Sequence, residues 1–253
     1  MKKLRLDELV VALGHSPNGT QARALIMAGK VRHGTVILDK PGKRVAPDLD
    51  IEIIAPPRFV GRGGEKLDGL LEQFPIECRG KSILDVGAST GGFTDCLLQR
   101  GASHATCLDV GRGQLHGKIR ADPRVINLEK VNARRLSAEQ LPQPLYDIVT
   151  VDLSFISLRK VLPAIWPMVR PEGFLVALVK PQFEALKVEA DRGRGVIRDP
   201  EVRERITGEI RSFATTCLPA CHERACLACI LPGKDGNREC FLVLQRSAAG
   251  QGL

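Results

Sequence analysis

Apolar and polar positions along this 253-residue chain follow two regimes. Over the first 55 or so residues the apolar runs are short and the turns frequent. Leu4 to Leu13 alternates with helical periodicity, and His15-Ser-Pro-Asn-Gly reads as a turn. Thr20 is the expected N-cap of a helix over Gln21 to Ala28, which Gly29 ends. Two strand-like pieces follow, Val31 to Val36 and Ile51 to Ile54, separated by a Pro41-Gly42 turn, and Pro56-Pro57 closes the region. The pattern predicts two helices and a small sheet, a satellite domain over residues 1–57.

A glycine-rich joint over residues 58–63 (Arg58-Phe-Val-Gly-Arg-Gly) leads into a helix with Leu67, Leu70 and Leu71 on one face. From there apolar strand-length runs alternate with helical stretches. Strands are predicted at Ile83 to Val86, Ala105 to Val110, Arg124 to Asn127, Tyr146 to Leu153 and Phe174 to Lys180. Asp199-Pro200 starts a helix with Val202, Ile206, Ile210 and Phe213 facing inward, and two last strands fall at Arg224 to Leu231 and Cys240 to Leu244. Alternation of this kind predicts an α/β domain over residues 64–253, with a doubly wound, mostly parallel, Rossmann-like sheet.

The stretch that organises this second domain is Ile83-Leu-Asp-Val-Gly-Ala-Ser-Thr-Gly-Gly-Phe93. A buried strand stops at a glycine loop, and Phe93, Leu97 and Leu98 then recur at helical spacing. Such a loop lets a ligand approach the backbone, and the helix start points free N–H groups at it. Asp109 follows Asp85 by 24 residues, about where a nucleotide-binding βαβ unit places the carboxylate for ribose hydroxyls. The spacing Gly87-x-x-x-Gly91-Gly92 is neither the dinucleotide fingerprint nor a phosphate loop. It suits a ligand with an adenosine and no phosphate, S-adenosylmethionine. Gly87, Ala88, Ser89, Thr90, Gly91, Gly92 and Phe93 are the candidate residues on its methionine side, and Asp85 is either a ligand contact or a support beneath the loop.

Charge narrows the class of partner. The net charge is +8, and residues 1–47 carry nine Lys/Arg against three acids, six of those eight charges in under a fifth of the chain. So steep an asymmetry favours nucleic acid over a generally solvated surface. No apolar run nears the ~20 residues of a membrane-spanning helix, and no apolar stretch follows the basic start as in a signal peptide. Eight scattered cysteines then fit reduced thiols and a cytoplasmic protein. Cys217, Cys221, Cys226 and Cys229 with His222 suggest zinc, but only one Cys-x-x-Cys pair is present and a strand there puts Cys226 and Cys229 on opposite faces. No metal is expected.

Four ionisable groups lie at or near predicted strand ends, where an open α/β sheet presents its chemistry: Lys66, Asp152, Lys180 and Glu239. A lysine ending the apolar run Phe-Leu-Val-Ala-Leu-Val is either a strand meeting solvent or a functional amine, and the pattern alone leaves both open.

Two resemblances add to this. Arg5-Leu-Asp-Glu-Leu, Thr20-Gln-Ala-Arg-Ala-Leu-Ile-Met-Ala-Gly-Lys-Val and Lys40-Pro-Gly resemble the small RNA-binding domain shared by ribosomal protein S-four and many pseudouridine synthases. That resemblance implies RNA phosphate contacts at Arg23, Lys30 and Arg32; Arg5, Arg58 and Arg62 are the further RNA-binding candidates. With the joint, the glycine loop and Leu108-Asp-Val-Gly-Arg-Gly-Gln-Leu, nearly the whole chain is similar to the TlyA (haemolysin A) group of ribosomal RNA ribose methyltransferases. The resemblance implies a methyltransferase of the FtsJ type with a Lys-Asp-Lys-Glu tetrad at Gly64-Glu-Lys66, Val151-Asp152-Leu-Ser-Phe-Ile-Ser, Val179-Lys180-Pro-Gln-Phe and Gly236-Asn-Arg-Glu239. It also implies an adenine-side contact at Asn132 and a cofactor contact at Asp152. Gly61, Gly117 and Cys240 depart from the family pattern without touching the tetrad.

The expected reaction is methyl transfer from S-adenosylmethionine to a ribose 2′-hydroxyl of ribosomal RNA. In the family the target is a cytidine of 23S rRNA, in longer members also of 16S rRNA. The short ends of this chain resemble the large-subunit-only type. A ribose hydroxyl is a poor nucleophile until it loses its proton, so Lys180 is expected either as the base or as the amine that positions the hydroxyl, with Lys66 favouring its neutral form and the two carboxylates orienting the amines while partly opposing that shift. The partner is ribosomal RNA or a ribosomal subunit, and the protein is expected to be a monomer. The rival from another class is a non-catalytic ribosome-assembly factor with a vestigial methyltransferase fold, against which an intact tetrad argues. A membrane-acting haemolysin lacks any segment to enter a bilayer.

Overall fold

The structure is a computed structural model and describes residues 3–55 and 57–248. The chain divides into two compact units that meet between Pro57 and Arg58. Lys2, one of the counted cations, and Pro56, half of the expected break, lie outside the described residues.

The first unit runs β1 (Leu4–Arg5), α1 (Leu6–Ala12), α2 (Gly19–Met27), β2 (Val31–His33), β3 (Val36–Ile37), β4 (Arg44–Val45) and β5 (Glu52–Ile53). Leu6, Leu9 and Val10 of α1 and Ala22 and Ile26 of α2 share one buried cluster with Val31, Val45 and Ile51. These are the i, i+3, i+4 positions the periodicity marked. Two expectations change. The N-cap of the second helix is Asn18, not Thr20: its side chain accepts the Gln21 N–H at 2.9 Å. Asn caps as well as Thr, and here it stands one residue before the helix. The run Val31 to Val36 is a hairpin rather than one strand, because Gly34-Thr35 forms a two-residue turn between the paired His33 and Val36.

The second unit continues with α3 (Arg62–Gln73), β6 (Ser82–Val86), α4 (Gly92–Gln99), β7 (His104–Asp109), α5 (Gly117–Arg120), β8 (Val125–Glu129), β9 (Tyr146–Val151) and α6 (Leu162–Ile165). Then come β10 (Val169–Val179), α7 (Pro181–Glu184), α8 (Lys187–Arg192), α9 (Pro200–Cys217), β11 (Cys221–Ala228) and β12 (Cys240–Arg246). Seven strands form one sheet in the order β11-β12-β10-β9-β6-β7-β8. β10, β9, β6, β7 and β8 are parallel neighbours, whereas β12 pairs antiparallel with both β10 and β11. Both faces are covered. Leu84, Val149, Ala177 and Leu242 point into a core with Trp166 and Ile210. Ile83, Ile148, Val176 and Phe241 point into the opposite core with Leu67 and Phe93. Burial on both faces is why these strands read as continuous apolar runs.

α9 starts as expected, Asp199 accepting the Glu201 N–H at 2.9 Å with Pro200 at the first helical position. The expected joint over 58–63 is not a loose connector. Phe59 is buried in the second unit's core, the Val60 N–H donates to Asp95 at 2.9 Å, and α3 begins at Arg62. Cys226 packs against one core and Cys229 against the other. Among the described residues no three His, Cys, Asp or Glu side chains are grouped to hold a metal ion, and no helix is long and apolar enough to cross a membrane.

Candidate active site

The connections leave the sheet in opposite directions after β6: β7 lies on one side and β9 on the other. A crevice must open at the carboxyl ends of β6 and β9, the usual ligand position in an open α/β sheet. Gly87 ends β6 there and Asp152 ends β9, joined by the Asp152 N–H donating to Val86 C=O at 3.0 Å. Gly87 has φ +85°, and a Cβ on it would lie 2.5 Å from the Asp152 carbonyl oxygen. Only glycine satisfies both the left-handed backbone and that approach.

A cavity of about 400 Å³ occupies this crevice, lined among others by Gly87, Ser89, Asp109, Asn132 and Asp152. Asp109 is held in place by the Ser89 and Gly111 N–H groups, at 2.9 and 2.7 Å, one on each oxygen. Each oxygen keeps a second lone pair for a ligand hydroxyl. Asn132 caps a short 3₁₀ turn by accepting the Arg134 N–H at 3.0 Å and still borders the cavity. Val110, Gln114, Val131 and Ala133 line the same end. The sequence reading did not single these out, although Gln114 and Val110 lie in the motif after Asp109.

Other loop candidates do not line the cavity. Asp85 is 1 % exposed and faces beneath the loop, where it accepts from Thr94 N–H, Thr94 Oγ1 and Thr150 Oγ1 at 3.1, 2.7 and 2.8 Å. Burial pushes its carboxyl up to about 6, partly offset by those hydrogen bonds. Phe93 is buried against Phe241, ring centroids 5.9 Å apart. Ala88 packs with Cys107, Leu115 and Ile119. Thr90, Gly91 and Gly92 shape the turn into α4, with Gly91 as its N-cap. Strand alternation does not carry through this loop, because Gly87, Ser89 and Gly91 all hold positive φ, and of the loop candidates only Gly87 and Ser89 border the cavity.

The four tetrad candidates come together. Lys66, Asp152, Lys180 and Glu239 all line a cleft of about 800 Å³ that shares Ser89, Asp152, Ser154 and Phe155 with the first cavity. Lys66 is not at a strand end. It sits in the first turns of α3, buried, its Nζ 2.6 Å from Glu239 Oε2. Lys180 Nζ lies 2.6 Å from Asp152 Oδ1, an ion contact off hydrogen-bond alignment, and donates to Ser154 Oγ at 3.1 Å. Each amine therefore faces its own carboxylate. Ser154 and Phe155 stand in the quoted motif after Asp152 but were not marked as site residues. Phe155 is 90 % exposed with φ +64°, its ring 5.1 Å from that of Phe183. A positive φ on a phenylalanine has no signal in a sequence.

The RNA candidates divide. Arg5 is held by Asp7 through two bonds of 2.9 and 3.0 Å, and Arg32 by Glu52 at 2.6 Å. The Arg5 hydrogen bond holds the Asp7 carboxyl below the usual carboxylate range. Arg23 reaches Asp7 only at 3.7 Å, and Lys30 makes no ion pair among the described residues. In the second unit Arg58 pairs with Asp68 and stacks on Phe59, while Arg62 borders the tetrad cleft and donates to Pro232 C=O at 2.8 Å.

The reversed β12 at one edge of the parallel strands, and a carboxylate rather than a phosphate loop after the first crossover, are the marks of a Rossmann-like methyltransferase. Comparison with known proteins agrees. The FtsJ-like methyltransferase model matches residues 59–246 and the S4 domain model residues 4–51. The chain belongs to the FtsJ-like methyltransferase family and carries an S4 domain ahead of it. It is 41 % identical over 258 residues to "16S/23S rRNA (cytidine-2'-O)-methyltransferase TlyA" of Mycobacterium tuberculosis, covering 100 % of this chain and 95 % of that one. It is 38 % identical over 214 residues to "Hemolysin A" of Brachyspira hyodysenteriae, covering 85 % and 89 %. A solved structure, "Putative hemolysin from Streptococcus thermophilus", superposes with a TM-score of 0.73 at 34 % identity, covering 98 % of this chain and 90 % of that chain.

Proposed function

We propose that this chain transfers the methyl group of S-adenosylmethionine to a ribose 2′-hydroxyl of ribosomal RNA, at a cytidine. The observation that carries the reading is the junction at Asp152, where the Gly87–Asp109 cavity opens onto the cleft lined by the two lysine–carboxylate pairs. The residues present fit the cofactor. Asp109 has lone pairs for a ribose diol, Gly87 leaves room beside the Asp152 carbonyl, and Val110, Val131 and Ala133 offer an apolar seat for an adenine, with Asn132 beside it. When bound, S-adenosylmethionine supplies a methyl group made electrophilic by its sulfonium.

The chain's own work is to orient and deprotonate the hydroxyl. Lys180 Nζ, once neutral, accepts the hydroxyl proton, with Asp152 and Ser154 fixing the amine at the junction. Lys66 and Glu239 hold the facing wall of the cleft. Proton acceptance and alignment are what a 2′-hydroxyl needs to attack in line. The S4 domain supplies Arg23 and Lys30 for RNA phosphates. The relative from Mycobacterium tuberculosis, by its name, acts on cytidines of both ribosomal RNAs, and that supports cytidine as the target here. A vestigial fold is disfavoured because all four tetrad side chains are present and meet in one cleft.

Mapping ribose methylation on 16S and 23S RNA with and without the protein tests the reading. Lys180→Ala is expected to lower the rate ~10²- to 10⁴-fold, the cost of a lost general base. Binding of S-adenosylhomocysteine and RNA should survive. Near-wild-type methylation by this variant refutes the assignment.

A further inference from the structure

Asp152 and Lys180 end adjacent strands, but the chain departs from them along different paths. After Asp152 it makes a turn over residues 153–157, and after Lys180 it enters α7. Beyond Lys180 itself, two contacts link these paths. One is the Phe155–Phe183 ring contact. The other is Glu184, the last residue of α7, whose Oε2 accepts from Ser157 Oγ at 2.5 Å and whose Oε1 accepts the Leu158 N–H at 2.6 Å. Glu184 is part-buried; burial pushes its carboxyl up, and the Ser157 and Leu158 hydrogen bonds pull it back.

The turn between these anchors is strained, since Phe155 holds φ +64°, a region that non-glycine residues occupy only when their surroundings fix them. One end of the turn is pinned by the Asp152 N–H on Val86 C=O. The other end is pinned by Glu184. Between them Ser154 Oγ receives the Lys180 amine. We infer that Glu184 is a positioning residue for methyl transfer: it clamps the turn over residues 153–157 to α7 and so holds Ser154 and Asp152 against Lys180. The inference rests on the proposed methyl transfer, and Glu184 itself touches none of the reacting groups.

With one bridge gone, the turn can relax its strained residue and withdraw Ser154 from the amine. Glu184→Ala should lower kcat about 10- to 100-fold, the scale of a misplacement near 1 Å. Glu184→Gln should stay within about five-fold of wild type, because an amide can accept from Leu158 and donate to Ser157 Oγ. Ser157→Ala, which keeps the Leu158 bond, should fall between them. KM for RNA and the dissociation constant for S-adenosylhomocysteine should move less than about three-fold in all three.

The readout independent of activity is amide hydrogen exchange, which should rise at residues 153–160 in Glu184→Ala and be restored in Glu184→Gln. If Glu184→Ala does not fold, the Ser157→Ala and Glu184→Gln pair carries the comparison. Active wild-type protein with an equally active Glu184→Ala, with Glu184→Gln as impaired as Glu184→Ala, or with unchanged exchange at 153–160 overturns the clamp. Wild-type protein that does not methylate RNA overturns the proposed reaction, and the clamp's role in it.

Discussion

The Lys66–Glu239 pair offers a way to separate what holds the site together from what the site does. The two side chains are 10 % and 3 % exposed, their charged atoms 2.6 Å apart, and they come from α3 and the residue just before β12. Glu239 is also tightly enclosed, since a Cβ on Gly233 would sit 2.6 Å from its Oε1. Removing either partner leaves an uncompensated buried charge, which costs about 3–5 kcal/mol. For a unit of this size each kcal/mol lowers Tm by roughly 2–4 °C, so Glu239→Leu or Lys66→Met alone should melt about 6–20 °C below wild type. Replacing both with apolar groups of similar volume removes both charges, and Lys66→Met/Glu239→Leu should return to within about 2 kcal/mol of wild type. Methyl transfer should stay lost in all three. The assays are thermal unfolding for Tm and urea unfolding for free energy, both followed by fluorescence of Trp166, the single tryptophan, which is buried in the second unit and reports that unit alone. Single variants as stable as wild type would show that the pair is not a buried ion pair in solution. A double variant that still methylates would show that neither group serves the chemistry.

Three further outcomes are expected. Gly87→Ala, which needs φ +85° and places a Cβ 2.5 Å from the Asp152 carbonyl, should weaken S-adenosylhomocysteine at least ~10-fold by calorimetry and cost about 1–3 kcal/mol of stability; unchanged affinity would refute the crevice as the cofactor site. Asp85 carries a carboxyl raised from 3.8 to about 6 in the fold, so its contribution to stability is full below pH 3.8 and is lost as pH rises through 6. Between those limits wild type should lose about 3 kcal/mol relative to Asp85→Asn, read from urea midpoints across pH, and parallel profiles would refute it. Arg23→Ala and Lys30→Ala should each weaken RNA binding evenly across sequences and lower the salt-dependence slope by about one; unchanged slopes would remove them from the interface.

What the sequence determined by itself was local or motif-like. Its strand-length apolar runs and its 3.6-residue periods placed the strands and helices of the second unit in order, because each pattern is set by neighbours close along the chain. The glycine loop after Ile83-Leu-Asp-Val and the acid at 109 marked the crevice, and the steep basic asymmetry of residues 1–47 pointed to nucleic acid. The tetrad was legible only through its resemblance to a family. Composition and pattern left Lys180 undecided between a solvent-facing end and a functional amine. The tertiary structure decided the rest. β6 is buried on both faces, so no alternation could say that Asp85 turns beneath the loop while Gly87 faces the crevice. Lys180 meets Asp152 because β9 and β10 are parallel neighbours, and Lys66 meets Glu239 across 173 positions only where the reversed β12 joins the sheet. That joining is a long-range event, and no residue near Lys66 in the chain encodes it. The strained Phe155 and the Glu184 bonds that hold its turn are likewise properties of two loops meeting, which a chain read one window at a time does not contain.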